Sequence, residues 1–331
     1  VTNLALIGCG YWGPNYARTI AQVPGARLAW CCDVSEAALE RIREEYPGVK
    51  TSHDYRKVLR APDCDAVIVA VPTQHHVAIA SAALAAGKPV LVEKPVAPDA
   101  RAADELADLA ERSGLVAMVG HIYVFNPDFR AVLDRVRGGE LGTLRSLRCE
   151  RVGFSPIRDD VDALWDLAPH DVAMLLKLTG SLPDLVFAAG NDYVRKGRAD
   201  VVFATFRFPG GAVAQLNVSW DFPEKVRKLT VVGDRGIAIF DDGAAEEKVR
   251  EFVRGATVPE PGSRECEVIF PPPAAGNPLA LQIIEFLAAI ERGHAVESDL
   301  REGAAVIRVL EALTESMRSA RPIALLESVP T

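Results

Sequence analysis

No apolar run in this chain reaches the roughly 18 residues that a membrane-spanning helix needs, so no span is expected. The opening residues, Val1-Thr2-Asn3-Leu4, carry no basic segment ahead of a long apolar one, and no secretory leader is expected there. No basic run interleaved with aromatics occurs, and the formal net charge is −8. A nucleic acid or an anionic membrane surface is therefore not expected as the main partner. The six cysteines, Cys9, Cys31, Cys32, Cys64, Cys149 and Cys266, show no C-x-x-C spacing. They read as reduced, mostly buried thiols of a cytoplasmic protein, and the adjacency of Cys31 and Cys32 disfavours a bond between that pair. Paired metal-ligand motifs are also missing, so no metal is expected. Neither internal repeats nor low-complexity segments are evident.

What remains is a globular composition of 331 residues, 49% hydrophobic and 25% charged, enough for about two domains. Residues 3–120 alternate strand and helix. Nearly continuous apolar runs at 4–7, 28–32, 66–71, 90–92 and 116–119 fit strands covered on both faces. Helical patterns lie between them, at about 14–22, 35–45, 75–86 and 99–113. Ser35 and Asp99 stand as N-caps, and Gly87 and Gly114 as helix ends. This alternation predicts a parallel, doubly wound sheet. After about residue 120 the pattern changes. A helix is expected from Asn126 to Arg137, and another around 164–178. Strands otherwise dominate. Pro209-Gly210-Gly211 and Gly233-Asp234-Arg235 read as turns of two hairpins. The expected fold class is α/β: an N-terminal Rossmann doubly wound parallel sheet, residues 1–121, and a C-terminal α+β domain with an open, mostly antiparallel sheet, residues 122–331.

Gly8-Cys9-Gly10-Tyr11-Trp12-Gly13 matches G-x-G-x-x-G. It follows a buried strand, opens a helix, and precedes Asp33 by twenty residues counted from Gly13. Gly8 permits the tight turn, Gly10 lets a pyrophosphate approach the backbone, and Gly13 lets the helix pack closely. The helix N-terminus favours the phosphate charge. Asp33 would accept hydrogen bonds from the adenosine ribose and repel a 2′-phosphate, which favours NAD over NADP; a helix cap or solvated turn residue is its other reading. Tyr11 and Trp12 lie in the same loop. Val71, Pro72, Thr73 and His76 follow the next buried strand on the cofactor side of the sheet. A cap with two exposed histidines, His75 and His76, is the other reading, and for one of the two it is equal.

Val90-Leu91-Val92 stops at Glu93-Lys94-Pro95. A lysine at the end of a buried strand is costly unless its charge is used, and ligands bind outside the carboxyl ends of such strands. Lys94 is placed to orient a nicotinamide ribose and to donate to a substrate hydroxyl; a surface lysine paired with Glu93 is the bland alternative. Asp166 and His170, four apart in Trp165-Asp166-Leu167-Ala168-Pro169-His170-Asp171, would share a helix face. A carboxylate beside an imidazole orients it and raises its basicity, which suits hydroxyl deprotonation. A stabilising helix-end pair is the alternative, and Pro169 marks a kink or the true helix start.

Together these residues resemble the Gfo/Idh/MocA (glucose–fructose oxidoreductase/inositol dehydrogenase) family over nearly the whole chain. The resemblance rests on Gly8–Gly13, Pro72–His76, the approach Ala86–Val90 to Glu93-Lys94-Pro95, and Asp166 with His170. It implies NAD-dependent sugar or polyol oxidoreduction, a C-terminal domain for substrate binding and oligomerisation, and homodimers or homotetramers. It also implies catalytic roles for Lys94, His170 and Asp166. Where many members carry Asn-x-Arg-Phe-x-Pro, this chain has Ile122 and Val124 at the Asn and Arg positions, which weakens a transfer of polyol contacts. The segments Gly120-His121, Phe125-Asn126-Pro127, Pro156-Ile157-Arg158 and Leu164–Asp171 look more like the nucleotide-sugar branch, which includes 3-dehydrogenases that make a 3-keto sugar. On that resemblance His121 and Glu93 join the cofactor site, and Tyr123, Arg158 and Trp165 join Lys94 and His170 at the substrate. Arg158 has an equal reading as a solvated loop arginine. The alternatives are a 3-ketosugar reductase, a free-polyol dehydrogenase and a non-catalytic NAD-binding sensor.

Overall fold

The computed structural model describes residues 1–158, 160–254, 266–269, 271 and 275–325. They fall into two compact units, one within Val1–Phe125 and Gly276–Ile307, the other within Asn126–Ala275 and Arg308–Thr331.

The first unit alternates β1 (Thr2–Ile7), α1 (Gly13–Ile20), β2 (Ala26–Cys32), α2 (Glu36–Glu45), β3 (Lys50–Ser52), α3 (Tyr55–Leu59), β4 (Ala66–Val69), α4 (His76–Ala85), β5 (Val90–Val92), α5 (Ala100–Ser113) and β6 (Ala117–Val119). Its strands pair in the order β3-β2-β1-β4-β5-β6, all parallel. That is the doubly wound order, reversing between β1 and β4, where such folds place ligands. The apolar runs become fully buried central strands because both faces are covered. Ser35 and Asp99 cap α2 and α5 by accepting from the Ala38 and Ala102 amides, and Gly114 ends α5 in the left-handed region. Two elements lie outside the sequence expectation. Edge strand β3 is three largely uncovered residues, and α3 is five, both too short for a periodic signal.

The second unit holds α6 (Pro127–Arg137), β7 (Leu144–Val152), α7 (Ala163–Thr179), β8 (Leu185–Asn191), β9 (Val201–Arg207), β10 (Val213–Ser219), β11 (Val226–Gly233), β12 (Gly236–Asp241), β13 (Val249–Arg254) and β14 (Cys266–Ile269). Then come α8 (Pro278–Arg292), α9 (Leu300–Ser319) and β15 (Ile323–Ala324). The nine strands run β14-β13-β12-β11-β7-β10-β9-β8-β15. Only the β7 and β10 pair is parallel among these neighbours, so the sheet is open and mostly antiparallel. Both expected hairpins form, as β9 with β10 and β11 with β12. Helix α7 packs across β7, β9 and β10. On β9, Val202, Ala204 and Phe206 are buried while the alternate residues face outward.

Helix α8 and the start of α9 belong to the first compact unit. Leu279, Gln282, Ile283 and Phe286 form the buried stripe of α8, and Gln282 bonds Tyr16 of α1. The Val119 amide donates to the Ser298 carbonyl at 2.8 Å, extending β6. Gly303 lets α9 pass so close that a Cβ there would lie 2.6 Å from Val119 Cγ2.

Among the described residues no helix is long and apolar enough to cross a membrane. Cys9, Cys31, Cys32, Cys64 and Cys149 are free and buried; the side chain of Cys266 lies outside the described residues.

Candidate active site

The glycine loop joins β1 to α1 at the switch point of the sheet. Gly8 has φ +100°, and a Cβ there would meet the Ala70 carbonyl oxygen at 2.3 Å. A Cβ on Gly13 would meet the Gly8 carbonyl oxygen at 2.3 Å. Gly10 is different, since a Cβ there would have nothing within 4 Å. Two glycines thus close the turn against protein, and the middle one faces open space. An approaching pyrophosphate needs that combination. Trp12 is the N-cap residue of α1 and half-buried, Pro14 occupies its first turn, and Tyr11 is exposed. The unbonded amides of such a helix start suit an anion.

Asp33 sits at the end of β2. Its Oδ2 accepts from the Cys9 amide at 2.6 Å and its Oδ1 from the Ser35 amide at 2.8 Å. The carboxylate therefore ties the glycine loop to the second strand, at the place expected for an adenosine ribose. These residues fit an NAD-type dinucleotide.

Beyond β4, Val71 is half-buried, Pro72 exposed and Thr73 buried. His76 is buried. Its Nε2 lies 2.7 Å from the Val71 carbonyl and its Nδ1 2.8 Å from the Pro95 carbonyl. Both nitrogens are engaged with backbone, so the ring bridges the segments that follow β4 and β5. His75, by contrast, is exposed.

Glu93 and Lys94 follow β5, both half-buried, and the Lys94–Pro95 peptide is cis. Glu93 Oε1 accepts from the Tyr16 hydroxyl at 2.6 Å and Oε2 from the Lys94 amide at 3.1 Å. Burial raises the Glu93 carboxyl above its ordinary range, opposed by the Tyr16 hydrogen bond and the Lys94 charge. Burial, and then Glu93, push the Tyr16 phenol well up. His121 is buried, with Nδ1 2.9 Å from Ser298 Oγ, which in turn donates to the Val119 carbonyl at 3.2 Å. Tyr123 is half-buried on the short turn Ile122–Phe125.

In the second unit, Asp162 caps α7 by accepting from the Trp165 amide at 2.9 Å. Asp166 and His170 lie one turn apart on α7, with Pro169 inside the helix. Asp166 Oδ1 receives Arg158 Nη1 at 3.0 Å, and Oδ2 receives the Trp220 indole at 3.1 Å. Arg158 also forks onto Asp160, Nε to Oδ1 at 2.9 Å and Nη2 to Oδ2 at 2.6 Å. These carboxylates raise its affinity for its proton against the cost of burial. Arg158 is thus held by two protein carboxylates, with 36% of its side chain exposed. Trp165, expected at the substrate, directs its indole N–H to Thr314 Oγ1 at 3.0 Å.

Sequence reading missed Tyr16, Gln282 and Ser298 in the first unit, and Arg151, Asp171 and Trp220 in the second. Two of these left a trace. Arg151 falls in the inward register of β7 after Leu147 and Cys149, and Gln282 interrupts the apolar stripe of α8.

Comparison with known proteins bears on the whole arrangement. Residues 2–121 match the oxidoreductase family with an NAD-binding Rossmann fold, and residues 129–239 match the GFO/IDH/MocA C-terminal domain. The chain is 32% identical over 315 residues to the UDP-N-acetylglucosamine 3-dehydrogenase of Acidithiobacillus ferrooxidans, covering 93% of each. The solved structure of that enzyme superposes with a TM-score of 0.85, over 96% of this chain and 97% of that one. A myo-inositol dehydrogenase of Streptomyces leeuwenhoekii is 30% identical over 244 residues, 70% of this chain and 74% of that protein. A levoglucosan dehydrogenase solved with NADH and L-sorbose shares the fold, with a TM-score of 0.89 at 19% identity over 99% of each chain. The glycine loop, the Glu93-Lys94-Pro95 strand end and the two matched domains make this chain a member of the Gfo/Idh/MocA family of NAD-binding oxidoreductases.

Proposed function

We propose that this protein oxidises a secondary hydroxyl of a sugar, C3 of a nucleotide-linked sugar being the favoured position, with NAD as the partner. The observation that carries this reading is the likeness, 32% identical across 93% of both chains, to a UDP-N-acetylglucosamine 3-dehydrogenase. Bound NAD would supply the hydride acceptor. The chain's own residues do the rest. The glycine loop and the start of α1 hold the pyrophosphate, with Gly10 leaving room for it. Asp33 presents a fixed negative charge where a 2′-phosphate would sit, which supports NAD over NADP. Lys94 orients the nicotinamide ribose and donates to the reacting hydroxyl. His170 takes the hydroxyl proton, and the charge of Asp166, held by Arg158 and Trp220, stabilises the imidazolium that forms. His121 is proposed as a cofactor contact, and Tyr123 and Trp165 as substrate contacts.

Outward-facing Phe187, Phe203 and Val213 on the open sheet support a homodimer or homotetramer through that face. Five buried free thiols support a reducing, cytoplasmic setting. The test is growth of the reduced-nicotinamide absorbance when NAD and UDP-N-acetylglucosamine are added. Turnover with that sugar and none with free inositol is the expected result. The likeness to a myo-inositol dehydrogenase favours the reverse as second reading. No turnover with either, in both directions, would leave a binding protein rather than an enzyme.

A further inference from the structure

Three side chains of the first unit are linked: Gln282 of α8, Tyr16 of α1 and Glu93 after β5. The Gln282 Nε2 donates to the Tyr16 hydroxyl oxygen at 2.9 Å, and Tyr16 donates to Glu93 Oε1 at 2.6 Å. Glu93 Oε2 accepts from the Lys94 amide at 3.1 Å. A phenol has one proton. Because the Tyr16 oxygen is already accepting, that proton is aimed at Glu93, and every donor in the chain points toward the carboxylate.

Gln282 is fully buried, and its Oε1 has no hydrogen-bond partner among the described residues. A leucine would fill the apolar stripe of α8 without that loss. The spare oxygen has a use if Glu93 takes up a proton. Glu93 would then donate to Tyr16, and Tyr16 would have to turn its own proton away. A half-turn of the Gln282 amide presents Oε1 to receive it. One proton enters at Glu93 from solvent; Tyr16 and Gln282 keep theirs and exchange donor and acceptor roles.

We propose that Gln282 and Tyr16 are positioning residues, a reversible relay that satisfies Glu93 in both charge states and thereby sets the charge beside the Lys94 ammonium. The groups facing Glu93 are Tyr16 from α1, Lys94 from its own segment and the Trp12 indole from the glycine loop; Gly120, after β6, adds no side chain. With Glu93 ionised, the Lys94 ammonium, the proposed hydroxyl donor, has an anion beside it. This last step rests on the proposed function; the relay itself does not.

The test follows the Glu93 carboxyl by infrared difference spectroscopy against pH, with Glu93→Gln identifying its band and no substrate present. Tyr16→Phe removes the donor to the anion, and the midpoint should rise by about one to two units. Gln282→Leu removes the acceptor that only the protonated state uses, so the midpoint should fall. Gln282→Met should repeat the fall. A rise in the Gln282 variants would reduce the residue to a plain donor, and an unmoved midpoint would make it structural; either overturns the relay. Should the variants not fold, neutron density of the wild-type protein below and above the midpoint decides. The Gln282 oxygen should face Tyr16 below it and the nitrogen above; one orientation at both overturns the proposal. If the protein turns over a sugar, the acid limb of its pH profile should move with the midpoint, and a limb that stays put overturns the role beside Lys94 alone.

Discussion

The guanidinium of Arg151 on β7 meets the carboxylate of Asp171 on α7 through two bonds, Nε to Oδ2 at 2.5 Å and Nη2 to Oδ1 at 3.2 Å. Their side chains are only 4% and 2% exposed. This planar pair fixes α7 to the sheet at the residue after His170. Removing one partner leaves a buried charge. Asp171→Ala should lower stability by about 3–5 kcal/mol in urea unfolding. Arg151→Met with Asp171→Leu should recover most of it, because no charge is then stranded. A double variant as unstable as the single one would contradict this account.

The glycines of the loop should separate folding from binding. Gly10→Ala meets no atom within 4 Å, so its melting temperature should stay close to wild type while NAD affinity falls about tenfold or more. Gly13→Ala drives a Cβ to 2.3 Å from the Gly8 carbonyl oxygen and should cost about 1–3 kcal/mol of stability as well. Calorimetry with and without NAD distinguishes the two. Equal effects from both substitutions would argue against separate roles.

Lys94→Ala and His170→Ala should each lower turnover by about 10²- to 10⁴-fold. His170→Ala should leave the dissociation constant for NAD unchanged, since the glycine loop and Asp33 belong to the other compact unit. Steady-state rates paired with NAD titrations check this. Near-normal rates in both variants would remove these residues from the chemistry.

Glu93 gives a signed pH dependence. Burial raises its carboxyl above the ordinary 4.5, so the folded protein binds this proton more tightly than the unfolded chain. The stabilisation is complete below that ordinary value and is lost as pH rises through the raised one. Wild-type stability relative to Glu93→Gln should therefore fall as pH climbs from about 4.5. Urea unfolding of both proteins at a series of pH values measures the difference, and a flat difference would refute it.

Much of the first unit could be read directly. Val67, Ile68 and Val69 announce a strand covered on both faces, and Asp99 and Gly114 bracket their helix, because these signals come from neighbours in the chain. The dinucleotide loop was legible for the same reason, since a turn, a helix start and the following strand lie within a short segment. Edge strand β3 was not, having only three residues and little burial. The burial of His76 was not legible either, because local pattern cannot show that a ring will be enclosed between two strand ends.

The sequence by itself determined the alternation of elements, the glycine loop, the strand end at Lys94 and the helical spacing of Asp166 and His170. Only the tertiary structure decided what holds them. It spent Arg158 on Asp160 and Asp166, seated Arg151 against Asp171, and returned α8 to the first unit. It also joined Gln282 to Tyr16 across 266 residues. The physical reason is that periodicity and capping are properties of contiguous backbone. A buried hydrogen bond between distant side chains is one directed contact, formed only after folding has removed water from both partners, and it leaves at most a polar residue out of place in an apolar row.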